Sequence, residues 1–140
     1  MRLRSLLFVP GDRPDRMAKA LGSGADALIL DLEDAVAAEK KLEARKCVAD
    51  FLAANGEAKL WVRINPLDSP EHEKDLAAIL PAHPDGIVLP KAEGGVSVAE
   101  LARALSERGN ATAQILAIAT ETPAAMFQLG TYAGVKRLAG

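Results

Sequence analysis

The chain has 140 residues, 49% of them apolar and 26% charged, which suits one globular domain with a real core and excludes a disordered tail. Seventeen basic against 19 acidic residues give a formal charge of −2, so no basic surplus points to nucleic acid, and no RNP-type or zinc-finger-type pattern occurs. The longest apolar runs reach about five residues, so nothing in the chain reads as a membrane span. The start, from Met1 to Pro10, has the basic look of a signal peptide, but its apolar stretch is short and Pro10-Gly11-Asp12 ends it. It reads as mature protein. The single cysteine, Cys47, excludes an internal disulfide framework and any multi-cysteine zinc site, which fits a cytoplasmic protein.

Short apolar runs predict strands at Ser5–Val9, Ala27–Leu30, Leu60–Ile64, Gly86–Leu89 and Ile115–Ala119, with a weaker one at Val135–Leu138. Each is almost continuously apolar, as strands buried on both faces of a parallel sheet are. The stretches between them have helical spacing. Ala44, Val48, Phe51 and Leu52 recur at i, i+4, i+7 and i+8; Val98, Leu101, Ala102 and Leu105 at i, i+3, i+4 and i+7. Pro14 after Asp12 and Pro70 after Ser69 mark helix starts, and Asn55-Gly56 and Gly109-Asn110 mark helix ends. Strands begin roughly 20–35 residues apart, the size of a βα unit, and no repeated sequence accompanies the period.

The pattern is therefore α/β: about five βα units plus a sixth strand. Length alone favours a doubly wound open sheet. A (β/α)8 TIM barrel typically needs ~250 residues, of which 1–140 would be a single N-terminal part, apparently truncated. In either architecture the carboxyl ends of the strands share one face, and polar residues follow those ends. They are Pro10, Gly11, Asp12 and Arg13; then Asp31, Glu33 and Asp34; then Arg63 and Asn65; then Lys91 and Glu93; then Glu121.

Asp31, Glu33 and Asp34 crowd three carboxylates into four positions. Cations must compensate them, whether a metal or the chain's own lysines and arginines; the plainer alternative is a helix cap with solvated acids. Arg63 lies in an otherwise apolar strand, where an unpaired charge is costly. It should clamp an oxyanion or pair with those acids. Lys91 fits a charge partner better than a Schiff-base nucleophile. Glu121 is a hard-metal ligand or a first-turn acid favoured by the helix dipole. His72, in a helix, and His83, in a Pro-rich loop, read as surface residues, and Cys47 as packing. There is no GxGxxG, Walker loop or GxSxG, and Gly94-Gly95 reads as a turn.

Six segments, in order, resemble the citrate lyase β-subunit branch of the HpcH/HpaI aldolase superfamily. They are Arg4–Gly11, Leu30–Val36, Lys41 with Ala44-Arg45, Val62–Asn65, Leu89-Pro90-Lys91 and Glu121-Thr122-Pro123; Ala38 departs from a frequent proline. The resemblance implies a (β/α)8 barrel that uses Mg²⁺, acts on a CoA thioester and assembles as a homo-oligomer, a trimer or a multiple of it. It implies that Arg63 binds substrate and that Glu121 is the first metal ligand. The second ligand, an aspartate shortly after the sixth strand, is expected beyond Gly140, so the short chain should bind Mg²⁺ weakly and turn over poorly.

On this basis a citryl-CoA or malyl-CoA type β-hydroxyacyl thioester is split to an oxo acid and acetyl-CoA by a retro-Claisen step. Arg63 would stabilise developing oxyanion charge, while Asp31, Glu33, Asp34 and Lys91 would form the charged floor beneath it. Pro10, Gly11, Arg13 and Lys19 are candidates for the CoA side. The general base is not assigned. The alternatives are a class II pyruvate aldolase, an acyl-CoA thioesterase on the same barrel, and an inactive half-barrel fragment.

Overall fold

Five parallel strands form one sheet in the order β1-β2-β3-β4-β5. The structure is a computed structural model and describes residues 3–139. The strands are β1 (Leu6–Pro10), β2 (Ala27–Asp31), β3 (Leu60–Arg63), β4 (Gly86–Leu89) and β5 (Gln114–Ala117). The helices are α1 (Pro14–Ala20), α2 (Lys41–Ala54), α3 (His72–Ile79), α4 (Gly95–Glu107) and the single turn α5 (Pro123–Met126). Among the described residues no helix is long and apolar enough to cross a membrane.

Sequential order distinguishes the two expected architectures. Right-handed crossovers that always step the same way leave their helices on one face of the sheet, whereas a doubly wound sheet reverses. One core accordingly joins Met17 of α1, Val48 and Leu52 of α2, Leu76 and Ile79 of α3, and Val98, Leu101 and Leu105 of α4. The strand side chains facing it are Leu28, Leu30, Leu60, Val62, Ile87, Leu89 and Ile115. The alternate residues Ala27, Ile29, Trp61 and Val88 make a second cluster, with Leu6, Leu116 and Ile118 against it. This is the period of two in a strand: one set packs on helices and the other lines the opposite face. Trp61 fills that face opposite Gly86, where a Cβ would lie 2.4 Å from the indole ring. The singly wound order is that of the expected (β/α)8 barrel and not of the open sheet that length alone favours.

Punctuation residues act as their chemistry dictates. Pro14 opens α1, Asn55 closes α2, and Gly109, at φ +75°, follows the end of α4. Gly94 caps α4 at φ +91° and Gly95 begins it, so the Gly-Gly pair is a strand-to-helix turn. Pro70 lies two residues before α3, which starts at His72.

The weak sixth strand is corrected. It is reduced to one parallel bridge, Ile115 to Leu138, with Ile115 N donating to Arg137 O at 2.8 Å and Ala139 N to Ile115 O at 2.7 Å. Arg137 has φ +68°, outside the extended region, so the ladder does not continue through it. Its guanidinium instead bonds the carbonyls of Ala102, Asn110 and Ala113, which pins the segment to the end of α4.

His72 is also corrected. It is buried, with Nδ1 3.1 Å from the carbonyl of Asn65, because it occupies the first position of the inward face His72, Asp75, Leu76, Ile79. His83 is exposed, as expected. Cys47 is half-buried on α2 and packs against the core.

Candidate active site at the strand ends

Register brings the central ion pair together. Asp31 closes β2, Arg63 closes β3, and the two are Cα partners in the parallel ladder. Counting back in steps of two, Asp31 shares the face of Ile29 and Ala27, and Arg63 that of Trp61, opposite the helices. Arg63 donates Nε to Oδ1 of Asp31 and Nη2 to Oδ2, both at 2.7 Å, a bidentate fork. Its guanidinium carbon lies 4.8 Å from the ring centre of Phe8, which reaches it from β1.

Asp31 is saturated. Besides the fork, Oδ1 accepts the N–H of Glu33 at 2.9 Å and Oδ2 that of Ala35 at 3.0 Å. With four bonds made and the residue buried, it orients Arg63 and turns the β2–α2 loop rather than meeting a ligand. Burial pushes its pKa up, but the Arg63 bond and charge and the two backbone N–H groups outweigh that, and it lies below its ordinary 3.8. Asp31 in turn raises Arg63. A depressed native pKa adds stability that is complete above the unfolded value and is lost as pH falls through the native one. Acid unfolding followed by circular dichroism between about pH 4 and pH 2 should therefore be less steep in Asp31→Asn than in the wild-type chain. Equal slopes would mean that Asp31 carries no native-state stabilisation.

Glu33 is buried beside the same cation. Its Oε2 lies 3.1 Å from Arg63 Nη1, a charge contact with no well-directed hydrogen bond. Its Oε1 accepts from Lys91 Nζ, also at 3.1 Å. Glu33, with Asp34 and Glu121 further off, raises the Lys91 ammonium, whose side chain is 46% exposed. Asp34 is exposed. The Lys91 backbone N–H donates to Oε2 of Glu121 at 2.6 Å. Glu121 precedes Thr122, which caps α5, so it lies outside the first turn, and the helix-dipole reading of this acid falls. Thr122 Oγ1 donates to Glu93 at 2.7 Å and ties the loops after β4 and β5 together.

The expected rim residues Asp31, Glu33, Arg63, Lys91 and Glu121 are thus joined in one chain of contacts. A depression of about 370 Å³ opens beside them, lined by Glu33, Asp34, Lys41, Asn65, Ser69 and Lys91.

The candidates for the CoA side are placed differently. Pro10 is half-buried. Gly11 is buried; its N–H donates to Asp31 O at 2.8 Å, and a Cβ there would lie 2.6 Å from that oxygen. Glycine is needed for that close approach. Arg13 is exposed and forks onto Asp15 at 2.9–3.0 Å. Lys19 is separated from the rim, because it sits in the last turn of α1, roughly 7 Å of helix rise below Pro14.

A second polar layer, beneath the first, was not assigned from the sequence. Asp75, with a side chain 0% exposed, accepts Arg45 Nε at 2.8 Å on Oδ1. Its Oδ2 accepts both the backbone N–H of Asn65, at 2.8 Å, and Asn65 Nδ2, at 2.7 Å. Arg45 also pairs with Glu71. Lys41 Nζ donates to the carbonyls of Leu32 and Glu33 at 2.6 Å and to Asn65 Oδ1 at 3.1 Å. These bonds fasten the loop that carries Glu33 to the loop after β3. The signal was present: Asp75 and His72 take core positions of α3 in step with Leu76 and Ile79.

Comparison with known proteins bears on the family and the fold. The family described as HpcH/HpaI aldolase/citrate lyase matches residues 4–140. A citrate lyase subunit beta-like protein of Deinococcus radiodurans is 43% identical over 112 residues, which cover 76% of this chain and 39% of that protein. A (3S)-malyl-CoA thioesterase of Cereibacter sphaeroides is 41% identical over 90 residues, covering 63% and 32%. The structure superimposes with a TM-score of 0.81 and 33% identity on CitE from Mycobacterium tuberculosis in complex with magnesium, acetoacetate and coenzyme A. That match covers 99% of this chain and 47% of the other. The chain therefore spans about a third of these curated relatives and about half of a TIM-barrel neighbour. With six ordered motifs, a singly wound sheet and a match from residue 4 to residue 140, the chain belongs to the HpcH/HpaI aldolase/citrate lyase family.

Proposed function

We propose that this chain is the N-terminal part of a (β/α)8 carbon–carbon lyase that splits a citryl-CoA or malyl-CoA type thioester into an oxo acid and acetyl-CoA. The observation that carries the reading is the Arg63 guanidinium, fixed by Asp31 at the strand-end rim in contact continuity with Glu121. The coenzyme A, acetoacetate and magnesium of the superimposed neighbour support it.

The residues present fit Mg²⁺ in part. Glu121 offers a hard carboxylate oxygen at an exposed rim, and no cluster of three His, Cys, Asp or Glu able to hold a metal occurs among the described residues. One carboxylate completed by water and substrate oxygens is an ordinary Mg²⁺ environment. When bound there, the ion would supply Lewis-acid polarisation of the oxo-acid oxygens. The chain's own residues do the rest. Arg63 presents the N–H groups not engaged by Asp31 to a substrate carboxylate or enolate oxygen. Asp31 holds the plane of that guanidinium, and Glu33 takes up part of its charge. Lys91 donates from its ammonium to the other oxygen of the Glu33 carboxylate. The substrate-side roles of Pro10, Gly11 and Arg13 reduce to shaping the first loop.

The malyl-CoA thioesterase relative favours a second reading, hydrolysis of the thioester on the same rim. The product separates the two: acetyl-CoA for cleavage of the carbon–carbon bond, free CoA for hydrolysis. The protein carrying this chain should release one or the other from malyl-CoA or citryl-CoA in the presence of Mg²⁺. EDTA or Glu121→Ala should abolish release. Full activity of Glu121→Ala would remove Glu121 from the metal site.

A further inference from the structure

Lys91 has a left-handed backbone, with φ +51°. Residues other than glycine rarely adopt it, and lysine has no local side-chain bond that favours it, unlike asparagine or aspartate. Such a conformation persists only where the surroundings over-determine it. Here two peptide groups do so. The N–H of Lys91 donates to Glu121 Oε2 at 2.6 Å, and the next N–H, of Ala92, donates to Ile118 O at 3.2 Å. Ile118 N returns a bond to Leu89 O at 2.9 Å. The backbone angles of residue 91 set the relation between these two peptides. Rotating it to an ordinary region re-aims one of them, so both bonds cannot survive.

We propose that Lys91 is a positioning residue for Glu121, acting through its backbone N–H. The bond engages Oε2 and leaves Oε1 to face a hard divalent cation. The ammonium has a separate task. It reaches back to Glu33 at 3.1 Å from a half-exposed position, where an ion pair is weak. The sequence Leu89-Pro90-Lys91 thus joins the Arg63–Glu33 pair to Glu121 through one strained residue. This inference rests on the assignment of Glu121 as a cation ligand.

The backbone and the ammonium can be separated by substitution. Glycine enters positive φ without strain and keeps the N–H, whereas a β-branched side chain resists that region. The probe is Mn²⁺, titrated into the protein carrying this chain and read by electron paramagnetic resonance, with amide spectra recorded on the metal-free proteins before Mn²⁺ is added. Lys91→Gly should bind Mn²⁺ within about twofold of wild type, and Lys91→Val roughly tenfold more weakly. The amide proton of residue 91 should resonate well downfield in wild type and in Lys91→Gly, and should move upfield in Glu121→Gln. If Lys91→Val binds as wild type does, or Lys91→Gly is weakened as much as Lys91→Val, the proposal is overturned. Should Lys91→Val not fold, the amide shift in the other three proteins decides: no response to Glu121→Gln overturns it. Mn²⁺ binding unchanged in Glu121→Gln would overturn the metal assignment as well. Binding lost in Glu121→Gln but insensitive to residue 91 would overturn this inference alone.

Discussion

Asp75→Ala is expected to lower the melting temperature of the chain by roughly 10–20 °C, from a loss of about 3–5 kcal/mol. The Asp75 carboxylate is wholly buried and receives three donors: Arg45 Nε, the Asn65 backbone N–H and the Asn65 side-chain amide. Removing it leaves the Arg45 guanidinium, 8% exposed, with Glu71 as its remaining carboxylate, and leaves a buried peptide N–H without an acceptor. Both penalties are of the kind that exceeds an ordinary core truncation. Asp75→Asn should fall between the two, because its single carbonyl oxygen cannot serve donors on both sides. Thermal unfolding by circular dichroism measures the effect, and a shift under about 2 °C would show that the network is solvated and carries little stability.

The strand ends were legible because they rest on local rules. Near-continuous apolar runs, helix stops at Asn55 and Gly109 and the Pro14 start all follow from residue chemistry, and they placed Asp31, Arg63, Lys91 and Glu121 on one rim without long-range information. What escaped was pairing across the fold. Asp75 and Arg45 lie thirty residues apart on different helices, and each alone looks like a solvated helix charge. His72 was misplaced for the same reason, since a polar residue at a core position is recognised only when its partner is in view. The sixth strand failed on a backbone angle: Val135–Leu138 has an extended composition, but Arg137 turns left-handed to place its guanidinium on α4 carbonyls. Lys19 has the right charge and the wrong end of its helix, a matter of chain direction rather than of residue type.

In the protein carrying this chain, Arg63→Ala is expected to lower turnover of a malyl-CoA or citryl-CoA type substrate by roughly 10²–10³-fold, the ~2.7–4 kcal/mol typical of losing one oxyanion donor. The argument is preorganisation. The Arg63 side chain is 14% exposed, clamped at two points by Asp31 and flanked by Glu33 and the Phe8 ring, so it needs no reordering as charge develops on the substrate. Its loss also strands Asp31 and Glu33, which are 1% and 3% exposed, so stability must be measured beside the kinetics. Arg63→Lys separates the two effects. An ammonium can neutralise the acids but cannot make the fork to Asp31 and still face the substrate. It should therefore recover most of the melting temperature and little of the turnover. If Arg63→Lys restores both together, Arg63 serves the fold through its charge. If Arg63→Ala turns over within about threefold of wild type, the oxyanion role belongs to another group on the rim.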